Sequence, residues 1–172
     1  MSYQSKPLAC EGCPAEHKGL GYVPAAGSWE SGVAFLAQGP GFDEAMGIDG
    51  RYEPFIGRSG RVHDERIHRA GLARSQVYLD NTVRCFLVRR SKSGAVVYKK
   101  SGTPQDREPS LVEQKECWRR HVGKPLREAA AQGGLRVLVA VGVPASRFLL
   151  GSWFKVGAVG SVESIELPEV TV

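Results

Sequence analysis

No stretch of the sequence approaches the roughly 20 consecutive apolar residues that a membrane-spanning helix needs. The amino terminus, Met1-Ser2-Tyr3-Gln4-Ser5-Lys6, has no apolar core of the kind a secretory signal carries. Both absences predict a cytoplasmic protein with no membrane partner. Internal repeats and low-complexity tracts are missing as well, so the chain is not a repeat array. Cysteine is scarce: Cys10, Cys13, Cys85 and Cys117 are the whole supply. In a reducing compartment such a set points away from disulfides and toward metal. Acidic residues are outnumbered, 18 against 23 Lys and Arg, and the resulting formal charge of +5 leans toward a polyanionic partner. What is present in ordinary amount is core material. With 42% hydrophobic and 24% charged residues over 172 positions, the chain is predicted to be a single domain, 1–172, with a core of its own and no need to be more than a monomer.

The spacing of apolar residues predicts an α/β domain. Residues 1–32 are rich in Gly, Pro and Cys and read as an irregular, cysteine-bearing arm around a ligand site. Val33 to Gln38 is a short apolar run stopped by Gly39-Pro40-Gly41, the mark of a buried strand. Ser59 is positioned to cap a helix running to about Ala70, which Gly71 would end. Gln76 to Val83 alternates apolar and polar as a strand does. Residues 87–107 read as an inserted basic hairpin turning near Ser93-Gly94. Ser110-Leu111-Val112-Glu113 has the form of a capping box, opening a helix to about Gln132 that is bent or interrupted at Pro125. Leu135 to Val141 reads as the cleanest buried strand, Pro144 opens a short helix ending at Gly151, and two weak strands follow. Strands alternating with helices predict a mostly parallel sheet. Ligands then sit beyond the carboxyl ends of the strands, where Gly39-Pro40-Gly41, Asn81 to Cys85 and Gly142 to Pro144 should converge.

Cys10-Glu11-Gly12-Cys13 is a C-x-x-C, a spacing at which two thiolates grip one metal centre. Cys85 and Cys117 complete a set of four, the count for a tetrahedral Zn site or a cubane cluster. The plainer alternative is a redox pair plus two buried core cysteines. His63 and His68 lie five apart on a predicted helix, so they form no helical metal pair and read as surface or capping residues. Asp43 and Glu44 follow the Gly-Pro-Gly turn closely. Together with Phe55 in Pro54-Phe55-Ile56-Gly57-Arg58-Ser59-Gly60, they have the makings of a flat pocket with a stacking ring and a carboxylate.

These stretches, with Tyr78-Leu79-Asp80-Asn81-Thr82-Val83-Arg84-Cys85, Glu116-Cys117-Trp118 and Val137 to Gly142, resemble the iron–sulfur uracil-DNA glycosylases, family 4 of that superfamily. The resemblance runs in order over roughly residues 10 to 150. It implies a three-layer α/β/α fold with a central four-stranded sheet. It also implies a structural 4Fe–4S cluster, in preference to Zn, on Cys10, Cys13, Cys85 and Cys117. The implied activity is DNA repair: base flipping followed by hydrolysis of the N-glycosidic bond of uracil. By the same resemblance Phe55 would stack on the flipped base and Asn81 would read its edge. Backbone N–H groups around Gln38 and Gly39 would contact a uracil carbonyl, and Glu44, or else Asp43, would position the attacking water. Arg84, Arg89, Arg90, Lys92, Lys99 and Lys100 form a phosphate-binding set, whose alternative reading is a charge-blunted edge.

The sequence departs from the family in three places. Gln38 stands where the family usually has Glu, and the stretch between Cys85 and Cys117 is long. No histidine occurs beyond His121, so the family's carboxy-terminal His-Pro-Ser motif is expected to be missing. That departure keeps a second reading open, a catalytically impaired DNA-binding module of a replication or repair assembly. A third is a Zn-stabilised nucleotide- or RNA-binding domain.

Overall fold

A computed structural model describes residues 3–151. The arm expected to be irregular forms a 3-10 turn at Leu8–Cys10 and two short strands, β1 (Gly19–Leu20) and β2 (Ala26–Gly27). The apolar run that follows is β3 (Val33–Ala37). After the Gly-Pro-Gly turn come α1 (Phe42–Met46) and α2 (Arg58–Arg69). The cap of α2 is Gly57, which offers no side-chain bond, and Ser59 lies inside the first turn. β4 (Tyr78–Asn81) and β5 (Phe86–Leu87) follow.

The capping box is realised at α3 (Leu111–Cys117): Glu113 N–H donates to Ser110 Oγ at 3.3 Å, and Ser110 N–H donates to Glu113 Oε2 at 2.8 Å. The expected interruption near Pro125 takes the form of a π-helical segment, Trp118–Val122, before α4 (Gly123–Ala131) resumes. The wider turn lets the chain absorb the proline's missing N–H in the first turn of α4 rather than in a helix interior. β6 (Val137–Val141) and α5 (Val143–Leu150), with its early proline, close the described part. The two weak strands expected beyond Gly151 lie outside the described residues.

The four-stranded sheet has the order β2-β4-β3-β6, with β3 parallel to both neighbours and β2 antiparallel to β4. The architecture is therefore α/β with a mixed, mostly parallel sheet. Alternation along β3 assigns its faces. Ala34 and Leu36 are buried with Val122, Leu126, Phe148 and Leu149 from the α3–α5 side. Val33, Phe35 and Ala37 pack with Ile67 of α2, Leu79 and Val141. Helices thus cover both faces, as the three-layer expectation requires. β6 is less buried than its sequence suggests. It is one of the two edge strands of the sheet among the described residues, and Val137 is 51% exposed. Ala37 is in register with both Asn81 and Val141, so the carboxyl ends of three parallel strands end level and the loops after them share one edge.

The inserted segment is not a single hairpin. It turns twice, at Ser91–Gly94 and at Lys99–Gly102, and isolated bridges join Arg90 to Val96, Tyr98 to Pro104 and Val88 to Asp106. Arg89 N–H donates to the Gln105 carbonyl, Gln105 N–H to Val97, and Val97 N–H back to Arg89, at 2.7, 2.8 and 3.0 Å. This closed ring of backbone bonds binds three limbs together where an ordinary hairpin would have a two-limbed ladder.

Candidate active site

At the shared strand edge, between α2 and the sheet, lies a cavity of about 1230 Å³. Its wall includes Gly39, Gly41, Asp43, Glu44, Phe55 and Asn81, so residues drawn from three separated stretches of sequence meet at one place. Gln38 instead borders a neighbouring cavity of about 400 Å³, and Gly39 touches both. The Gln38 carbonyl accepts from Thr82 Oγ1 at 2.6 Å and from Val83 N–H at 3.3 Å, which ties the turn after β3 to the end of β4.

Glu44 is buried, and backbone donors hold its carboxylate. Gly41 N–H donates to Oε2 at 2.7 Å and Phe55 N–H to Oε1 at 2.5 Å, with Ile56 N–H adding a further bond. Burial pushes its pKa above the ordinary glutamate value despite these donors. Glu44 therefore clamps the Gly-Pro-Gly turn to the Phe55 loop. Phe55 itself sits at φ 61°, a left-handed conformation that a bulky residue adopts at a cost of order 1–3 kcal/mol. Several contacts hold it there. The Arg74 guanidinium donates to the carbonyls of Phe55 and Pro54. At Gly60 an added Cβ would lie 1.8 Å from the Phe55 carbonyl oxygen, so only glycine lets α2 approach this closely. Asp43 is exposed and lines the same cavity, with its Oδ2 facing the open side of Gly57.

Asn81 ends β4 and is 2% exposed. Its backbone N–H donates to Asp80 Oδ1 at 2.8 Å, while its side-chain Nδ2 is buried without a partner. His63, a surface or capping residue by its spacing from His68, instead forms part of the cavity wall. Its ring stands edge-on between Phe35 and Phe55, with centroids 4.5 and 4.4 Å away. The sequence signal for this placement is its phase: His63 precedes the core residue Ile67 by four positions and so shares the inward face of α2.

Three of the four cysteines, Cys10, Cys85 and Cys117, are buried in one core cluster, and Cys13 packs against it. Arg84 N–H donates to Cys117 Sγ at 3.3 Å, and Cys10 Sγ lies 3.2 Å from His121 Nε2. Gly19 makes room beside Cys85, where an added Cβ would come within 2.7 Å. Among the described residues no group of three or more His, Cys, Asp or Glu is placed to hold a metal ion. A single tetrahedral ion draws its four sulfurs to about 2.3 Å from one point. Cys10, Cys85 and Cys117 are buried and Cys13 is partly exposed, so the four thiols lie in one region of the core without converging on a single point. Burial pushes the Cys117 thiol up to about 12.

Arg84 corrects the expected phosphate-binding set. It is buried and pairs with both Asp80 oxygens, at 3.0 and 2.7 Å, while Nη1 donates to the Tyr22 hydroxyl. Its work is internal, holding the β4–β5 connection beside the cysteines. Arg89, Arg90, Lys92, Lys99 and Lys100 are exposed, with Lys99 paired to Asp106 at 2.5 Å. Their segment reaches the site: Thr103 lines the larger cavity and Lys99 the smaller.

The family model of the uracil DNA glycosylase superfamily matches residues 24–169. The chain is 27% identical over 110 residues to a type-4 uracil-DNA glycosylase of Archaeoglobus fulgidus, covering 64% of this chain and 45% of that protein. It is 28% identical over 108 residues to one of Thermotoga maritima, covering 63% and 46%. Against one of Pyrobaculum aerophilum it is 32% identical over 76 residues, covering 44% and 37%. The chain thus spans less than half the length of these curated relatives.

Proposed function

The chain belongs to the uracil DNA glycosylase superfamily, and from that premise we propose that it removes uracil from DNA by hydrolysing the N-glycosidic bond. The observation that carries the proposal is the meeting of Gly39, Asp43, Glu44, Phe55 and Asn81 around one cavity at the strand ends. Phe55 stacks on the flipped base, and its clamped backbone keeps the ring in place without the ligand. The Asn81 amide reads the base edge, its free Nδ2 donating to a carbonyl that cytosine lacks. Water adds to the sugar C1′ as the bond to N1 breaks, and the electron pair leaves with the base. Backbone N–H groups of Gln38 and Gly39 meet the charge that develops on a uracil carbonyl. Because Glu44 is engaged in holding two loops, Asp43 is assigned to the attacking water and Glu44 to positioning.

Cys10, Cys13, Cys85 and Cys117 would hold a 4Fe–4S cluster, whose contribution would be structural, in preference to Zn. The exposed Arg89, Arg90, Lys92, Lys99 and Lys100 contact DNA phosphates beside the cavity. The test is release of free uracil from a uracil-containing oligonucleotide, with cytosine and thymine oligonucleotides as controls. Release from the first alone is expected. DNA binding with no base released would replace the enzyme with a binding module.

A further inference from the structure

Only two buried side-chain nitrogen or oxygen atoms among the described residues lack a hydrogen-bond partner: Asn81 Nδ2 and His63 Nε2. Both residues line the same cavity. An unsatisfied buried polar atom costs about 1–3 kcal/mol, and native proteins keep few of them. Two orphans in one cavity wall therefore mark groups kept for a ligand. Asn81 is already assigned to the base; His63 has no assigned work.

The His63 ring is held in place by Phe35 and Phe55, both nearly perpendicular to it, at 78° and 77°. It thus touches the ring against which the base is proposed to stack. Burial pulls its pKa below the usual histidine value, more strongly than Asp64 raises it, so the imidazole is neutral at physiological pH. A neutral imidazole presents one N–H and one lone pair. Uracil O4 has two acceptor positions, and a single amide N–H from Asn81 fills one of them.

We propose that His63 is a second base-recognition residue, whose Nε2–H donates to the uracil O4 carbonyl beside Asn81. The proposal rests on the reading of the cavity given above. It makes His63 a specificity residue, because the exocyclic amino group of cytosine would meet two donors where uracil offers an acceptor. The same imidazole edge serves no purpose if the ring is only packing.

Two substitutions separate these roles. His63→Phe keeps an aromatic ring between Phe35 and Phe55 and removes the donor. His63→Gln places an amide N–H near the position of Nε2. The readouts are the dissociation constant for free uracil and the ratio of uracil to cytosine excision, with thermal melting as the check on folding. His63→Phe is expected to weaken free-uracil binding about tenfold, the loss of one hydrogen bond in a dry site, and to lower the uracil-to-cytosine ratio. His63→Gln is expected to recover most of both. If the wild type binds and excises uracil while His63→Phe matches it, His63 is not a base reader. Equal impairment of the two variants would make it a packing residue and overturn the proposal as well. A wild type that neither binds nor releases uracil would remove the glycosylase reading, and this inference with it.

Discussion

Glu44 and Asp43 are adjacent carboxylates with different surroundings, and the difference decides what each does. Glu44 accepts backbone N–H bonds from two loops, while Asp43 faces the cavity beside Gly57. Glu44→Gln puts an amide donor against an N–H that needs an acceptor, at about 1–3 kcal/mol. A melting experiment should register this as a fall of several degrees, and excision should weaken because Phe55 loses its anchor. Asp43→Asn should leave melting unchanged and lower the single-turnover rate about 10²-fold or more. The reverse pattern would return the water to Glu44. Both carboxylates and Phe55 are legible in the sequence as a carboxylate pair and a ring among glycines. The clamp is not, because Glu44 and Phe55 are 11 positions apart and only the tertiary fold closes that gap. His63 is obscured for a related reason. Its distance from His68 argues for the surface, while its helical phase with Ile67 places it inside.

The elements around the site are held by local signals and by a few buried charges. The cap of α3 is one such signal, and Glu113 there is 1% exposed. Burial pushes its pKa up, but the Arg107 guanidinium and the Ser110 N–H and hydroxyl outweigh this and hold it down to about 2. A carboxylate with a depressed folded pKa stabilises the fold above its unfolded value near 4.3. That stability, on the order of 2–3 kcal/mol, should disappear as pH falls from about 4.5 to about 2. Glu113→Gln should melt lower at neutral pH and lose this acid dependence, which melting curves across pH would show. The basic segment between β5 and α3 makes a separate prediction. Replacing Arg89, Arg90, Lys92 and Lys100 with Ala should leave melting unchanged. It should flatten the salt dependence of DNA binding by about one slope unit for each phosphate no longer neutralised; an unchanged slope would make the segment a solvated edge. Strand and helix positions are readable to within a few residues from periodicity and caps. The double turn is not, because Gln105 closes the ring of bonds from outside the alternating pattern.

Across the whole molecule, the arm, the β4–β5 connection and the end of α3 meet at the cysteines. The sheet edge, both cavities and the basic segment meet around Gly39, and Cys85 lines the smaller cavity with Lys99. The two regions share the chain between Asn81 and Cys85, so the proposed cluster site and the proposed base-reading residue are linked through Thr82, Val83 and Arg84. Cys117→Ser should therefore abolish visible absorption in anaerobically purified protein and lower melting sharply. A colourless wild type carrying Zn would contradict the cluster assignment. The candidate ligand set is legible from cysteine count and family resemblance. The internal role of Arg84 is not, since a basic residue next to a basic segment looks exposed until Asp80 is seen beneath it. Reading and release of uracil by this cavity is the proposal on which the other assignments depend. It is tested most directly by single-turnover excision from a uracil-containing oligonucleotide, with wild type and Asn81→Ala side by side. The account requires free uracil from the wild type and a rate at least about 10²-fold lower from a folded Asn81→Ala protein. Equal rates from the two proteins, or no release by the wild type, would contradict it.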